Sequence, residues 1–118
     1  MSTADTRVLI EQAIERFGEE VPALKSLKVV VRLELPARGA GAPPVWRIEL
    51  PGPRVSRDPA GDARVEVSVV RSQFNELVED GRLKHWADAY RRGHVKVSGE
   101  PAVVKLVGNV IERQLARV

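Results

Sequence analysis

No cysteine occurs anywhere in the chain, which excludes disulfide staples, thiolate metal sites and a cysteine nucleophile together, and fits a reducing compartment. A cytoplasmic setting is the expectation. Aromatic residues are scarce at 4%, so the core has to be built from valine, leucine and isoleucine. No run of ~18 apolar residues appears, which excludes a helix that spans a membrane. The opening residues carry Asp5 and Arg7 without an apolar stretch, so no secretory signal is expected, and the closing Leu-Ala-Arg-Val is not a peroxisomal address. Neither sign of charge dominates: 19 Lys and Arg against 16 Asp and Glu leave +3, too little to demand a nucleic-acid partner.

What is present is 43% hydrophobic and 30% charged residues in 118 positions, the make-up of one globular domain over residues 1–118. Ile10, Ala13, Ile14 and Phe17 recur at helical spacing across residues 3–18, with Gly18 as the expected stop. Val21 and Leu24 continue the phase into a short second turn from Pro22. The period then changes to two. Val29, Val31, Leu33 and Leu35 alternate against Lys28, Arg32 and Glu34, and Trp46, Ile48 and Leu50 against Arg47 and Glu49. Between them residues 36–44, with Gly39 and Gly41, read as a loop. Pro51-Gly52-Pro53 reverses the chain into a brief strand over 54–57, and Val65, Val67 and Val69 alternate against Arg64, Glu66 and Ser68. Strands with one oily and one polar face predict an α+β fold: an antiparallel-rich sheet with helices stacked on a single side.

Ser72 is the expected N-cap of a short helix stopped by Gly81, and Leu83, Trp86, Ala87 and Tyr90 share a face of another that ends near Gly93. Together they make a movable cover. A last strand over 94–98 turns Val95 and Val97 inward and is stopped by Gly99, and Pro101 opens the final helix with Glu100 beside the positive end of its dipole. On that helix Val103, Val104, Leu106, Val107, Val110, Ile111, Leu115 and Val118 span roughly half the circumference, wider than the ~100° stripe that one packing face needs. The surplus requires a cover: a deep seat between sheet and helices, a second subunit, or a ligand. Gln114 lies within this arc, either orienting a ligand's polar end or facing water.

Chemistry is not signalled. His85 and His94 fall on polar faces, Ser56, Ser68, Ser72 and Ser98 lack an elbow or a base, Glu76, Glu79 and Asp80 read as a solvated face, and Gly39 and Gly41 open no phosphate motif. No metal, no cofactor and no catalytic residue are expected. Arg82, Lys84, Arg91, Arg92 and Lys96, opposed by Asp88, form a basic group: a solvated face, or a patch for an anionic membrane surface or acyl-CoA phosphates. Without interleaved aromatics it does not suggest nucleic acid.

The tryptophan strand Trp46-Arg47-Ile48-Glu49-Leu50, the run Val65-Glu66-Val67-Ser68-Val69-Val70-Arg71-Ser72-Gln73-Phe74, Gly81, and then Gly93-His94-Val95-Lys96-Val97-Ser98-Gly99-Glu100 resemble the sterol carrier protein 2 domain over residues 28–114. The resemblance implies a five-stranded sheet with helices over one face that enclose an apolar cavity for sterols, fatty acids, acyl-CoA or other apolar molecules, bound and carried without chemistry. It further implies ligand contacts from the covering and final helices, here Phe74, Leu77, Trp86, Tyr90, Leu106, Val107, Val110, Ile111 and Gln114. Two other expectations stay open: an interaction domain, such as a homodimer that buries the C-terminal helix, and an accessory subunit that holds an enzyme's apolar substrate.

Overall fold

The computed structural model describes residues 3–37 and 41–116. Gly39 of the expected loop and Val118 of the expected apolar arc lie outside the described residues. The alternating segments become β1 (Val29–Glu34), β2 (Val45–Leu50), β3 (Arg54–Arg57), β4 (Val65–Val69) and β5 (Val95–Gly99), joined in one sheet in the order β3-β2-β1-β4-β5. The β1–β2, β2–β3 and β4–β5 pairs are antiparallel and β1–β4 is parallel, so the sheet is mixed but antiparallel-rich. The β1–β2 hairpin occupies one edge of β1 and the β2–β3 hairpin extends the sheet beyond it. Residues 58–64 then carry the chain back across the sheet, so β4 starts beside Val31 on the free edge of β1 and runs parallel to it.

Strand alternation gives the sheet an inner and an outer face. On the inner face Leu33, Trp46, Ile48 and Val69 pack with Ile10 of α1 (Thr3–Glu20), Phe74 and Leu77 of α2 (Arg71–Asp80) and Ala89 of α3 (Leu83–Arg91). The outer face is charged: Arg32 pairs with Glu34 at 2.7 Å and with Glu66 at 3.7 Å, and Arg47 pairs with Glu49 and Asp62. Such solvent-facing pairs stabilise little and chiefly keep this face wet. The last helix, α4 (Pro101–Ala116), packs against β5 and against a 3-10 helix at Pro22–Ser26. No helix among the described residues is long and apolar enough to cross a membrane.

Three local expectations change, and the stop at Gly81 holds. Gly18 does not stop α1, which runs on to Glu20; the residue is buried inside the helix, where a Cβ would lie 3.2 Å from the Lys25 stem that covers it. Ser72 is not a cap. Val70 holds the N-cap position, and the Arg71 N–H is satisfied by the Pro36 carbonyl at 2.9 Å, so the strand-to-helix corner is tied to the end of β1 rather than by a local side chain. Gly81 ends α2 as expected, in an extended conformation in which its N–H meets the Leu77 carbonyl at 2.8 Å and a Cβ would strike that carbonyl. The inward stripe of α3 runs through Leu83, Trp86 and Ala89, leaving Tyr90 at its edge, 54% exposed.

Candidate functional site

The residues expected around a ligand separate into two groups. Phe74 and Leu77 are 2% and 5% exposed, part of the central core, and Trp86 packs between Phe74 and Phe17 with ring centroids 6.1 and 5.0 Å away. They hold the α2–α3 corner against α1. Two polar contacts reinforce that corner: the Arg16 guanidinium donates to the Val78 and Gly81 carbonyls at 2.9 and 3.3 Å, and the Glu20 carboxylate accepts the Leu83 N–H at 3.0 Å. These are the free carbonyls at the end of one helix and a free N–H at the start of the next. His85, expected on a solvated face, is exposed and accepts the Arg82 N–H at its Nδ1, 2.9 Å away.

Leu106, Val107 and Val110 of α4 come together with Ala23, Leu24, Ser26 and Leu27 around a groove of about 290 Å³. Its lining carries no charged side chain, and the Ser26 hydroxyl donates to the Ala23 carbonyl at 3.0 Å. No residue of α4 is buried, and Leu106 is 51% exposed. Ile111 and Gln114 are half-buried farther along the helix, outside the groove lining. Instead of an enclosed cavity, the apolar concavity against α4 is an open groove.

The 3-10 wall escapes the sequence reading. Leu24 is legible with Val21 as a continuation of the helical phase, but nothing in the pattern places it and Leu27 across a gap from α4. What holds α4 is its N-terminal corner. The Glu100 N–H donates to the Arg64 carbonyl at 2.8 Å, and Gly99 sits at φ +132°, where a Cβ would strike that same carbonyl.

On the outer face the Arg47 guanidinium grips Asp62 through two bonds, Nε–Oδ1 at 3.1 Å and Nη2–Oδ2 at 2.8 Å, and reaches Glu49 at 3.2 Å. The bonds from Arg47 hold the Asp62 carboxyl below the usual range, and the same bonds, Asp62 first and Glu49 second, raise the guanidinium further. Among the described residues no group of three or more His, Asp or Glu side chains could hold a metal ion.

No family model matches the chain, and no curated protein sequence matches it. Solved structures do. The crystal structure of sterol carrier protein 2 like 2 from Aedes aegypti superposes with a TM-score of 0.59 at 21% identity over 91% of this chain and 97% of that one. The solution structure of the palmitated form of the Aedes aegypti protein gives 0.58 at 20% identity, over 86% and 93%. The chain has the sterol carrier protein 2 fold. A ubiquinone synthesis protein, UbiJ-SCP2, shares this fold with a TM-score of 0.54 at 23% identity over 97% of this chain and 95% of that one. In this chain an apolar groove lies at the seam between α4 and the 3-10 helix.

Proposed function

We propose that the protein binds the apolar chain of a lipid between α4 and the 3-10 helix, as a single domain that carries its ligand without chemistry. The observation that carries this is α4 itself, a largely apolar helix with no buried residue along an uncharged groove. The palmitated fold neighbour supports a fatty-acyl class, with sterols and acyl-CoA as further candidates. At about 290 Å³ the groove lies at the lower edge of the ~300–1,000 Å³ typical of small-molecule sites. A long chain therefore requires α4 to swing outward about its Gly99–Glu100 corner, bringing Ile111, Gln114 and the partly buried inner-face valines Val67 and Val97 toward the ligand. Each methylene buried contributes ~0.8 kcal/mol, so a long acyl chain exceeds the association cost of roughly 4 kcal/mol or more.

Release to an anionic membrane is part of the same proposal. Arg82, Lys84, Arg91 and Arg92 are all exposed on and beside α3, while Glu11, Glu15 and Glu19 line the exposed side of α1, so the molecule would approach with α3 leading. The lack of cysteine supports a cytoplasmic setting.

Native mass spectrometry of the purified protein tests the reading: co-purified lipid is expected, and Val107→Trp should abolish it while the melting temperature stays within a few degrees. Absence of any lipid complex, with no fatty acid bound at roughly tens of micromolar, overturns it. A second reading is that a second copy covers α4, supported by the 51% exposure of Leu106. Sedimentation distinguishes them, since a monomer cannot hide that face in a partner. The ubiquinone synthesis neighbour supports an accessory role for the same groove, holding an enzyme's apolar substrate.

A further inference from the structure

Trp46 is 1% exposed, among the most deeply buried side chains of the protein, and its indole Nε1 meets no hydrogen-bond acceptor among the described residues. A buried N–H without a partner is costly, and native cores tolerate few of them. The ring is also the one over which the Arg57 guanidinium lies, 5.3 Å from its centroid. Arg57 is exposed and makes no ion pair among the described residues. An unpaired N–H donor and a cation without an ion pair thus meet at one aromatic ring in β2.

The sheet register connects this ring to the lipid groove side of the fold. Arg57, Trp46, Leu33, Val67 and Val97 are successive cross-strand partners from β3 to β5. From Trp46 to Val97 the row crosses three interstrand steps, roughly 14 Å at about 4.8 Å each. Beyond Trp46 the row is wholly apolar: Leu33 is buried in the core at 5% exposure, and the row ends in Val67 and Val97, which are only partly buried, so a tail laid along it displaces the side chains that now cover Leu33. The strand against which α4 packs is the one that carries Val97.

We propose that the Trp46 indole N–H is the polar recognition group of the ligand site. It takes an acceptor oxygen at the head of a single-chain amphiphile whose tail follows the inner-face row toward β5 and α4, and Arg57 biases that head toward a carboxylate. This rests on the lipid-binding reading and adds a direction and a head-group class to it. Specificity then follows from the unmet donor: an alkane of the same length leaves it unpaired, whereas an alcohol or a carboxylate satisfies it.

The test is nitrogen-15 NMR of the full chain with decanoate, decanol and decane. The two tryptophans give two indole signals, assigned by Trp86→Phe and Trp46→Phe. Decanoate and decanol should each move the Trp46 indole proton downfield and slow its exchange with water, while decane should not. Trp46→Phe should weaken decanoate binding by roughly tenfold and leave decane unchanged. Arg57→Gln should weaken decanoate by roughly two- to fivefold and leave decanol unchanged. If Trp46→Phe does not fold, the wild-type indole signal decides alone. Methyl signals of Val67 and Val97 along the row, and of Val107 and Val110 in the groove, report occupancy independently. Methyl shifts without an indole response, or an indole response equal for decane and decanoate, overturn the head-group assignment while lipid binding stands. No response anywhere to any of the three overturns both.

Discussion

Two helices of this protein meet the same sheet on different terms. α2 has ten residues, many of them polar, yet it buries Phe74, Leu77 and Val78; α4 has sixteen, is the more apolar, and buries none. The difference lies in what each helix faces. α2 is enclosed by α1, by the inner sheet face and by Trp86, and its end is bonded to Arg16. α4 has β5 and a short 3-10 helix for neighbours and is tied just ahead of its first residue, through the Glu100 N–H at the Gly99–Glu100 corner. Apolar content therefore does not set burial. A helix that an adjacent element clamps becomes core, while one held at a single end keeps an oily face available.

The sharpest way to break this comparison is to shorten one side chain in each helix. Leu77→Ala should destabilise the protein by roughly 2–5 kcal/mol, because a closed core retains much of the cavity. Val107→Ala should cost about 1 kcal/mol or less, since the groove wall is already open to water. Urea denaturation of both variants gives the ratio. Equal losses would mean that α4 is ordinary core and that the groove is not a site.

A somewhat smaller effect is expected at the corner that tethers α4. Gly99→Ala places a Cβ against the Arg64 carbonyl at a backbone angle that side chains rarely adopt, at a cost of roughly 1–3 kcal/mol. Hydrogen exchange should quicken in α4 and at the β4–β5 pairing of Val65 with Gly99, while α2 keeps its protection. Equal loss of protection in α2 would show that the two regions open as one unit.

The strands were legible in the sequence because their alternation is strict. Even the four-residue β3 falls at 54–57, directly after the Pro51-Gly52-Pro53 reversal, as expected. The parallel β1–β4 pairing was not, since register and neighbour order depend on which strand edges remain free. On α4 the unusual width of the apolar arc was visible, and so were three groove residues, Leu106, Val107 and Val110. Their opposite wall at residues 23–27 was not, because Leu24 and Leu27 carry no pattern that distinguishes a groove wall from a core turn. Tyr90 falls outside the α3 stripe because α3 turns its Leu83, Trp86 and Ala89 side inward, with Trp86 seated against Phe17 and Phe74, a rotation that periodicity alone does not specify. The unmet donor of Trp46 had no signature at all, since hydrogen-bond satisfaction is a property of packing.

The smallest effect concerns the clamp that sets α2 and α3 apart from α4. Arg16 is exposed, yet its guanidinium meets the carbonyls of Val78 and Gly81, which a helix end leaves without intrahelical partners. Arg16→Met keeps the stem's packing and removes both donors, so the expected loss is about 0.5–1.5 kcal/mol. Glu20 holds the other side of the corner by accepting the Leu83 N–H, and Arg16→Met should therefore loosen the last turn of α2 more than the first turn of α3. Amide exchange resolves this: faster exchange at residues 78–82, little change at 84–88, and none in α4. If α4 responds as strongly as the α2 end, the clamp acts through the whole helical layer. The open groove would then depend on α1, and lipid affinity should fall with Arg16→Met; if α4 is silent, affinity should be unchanged.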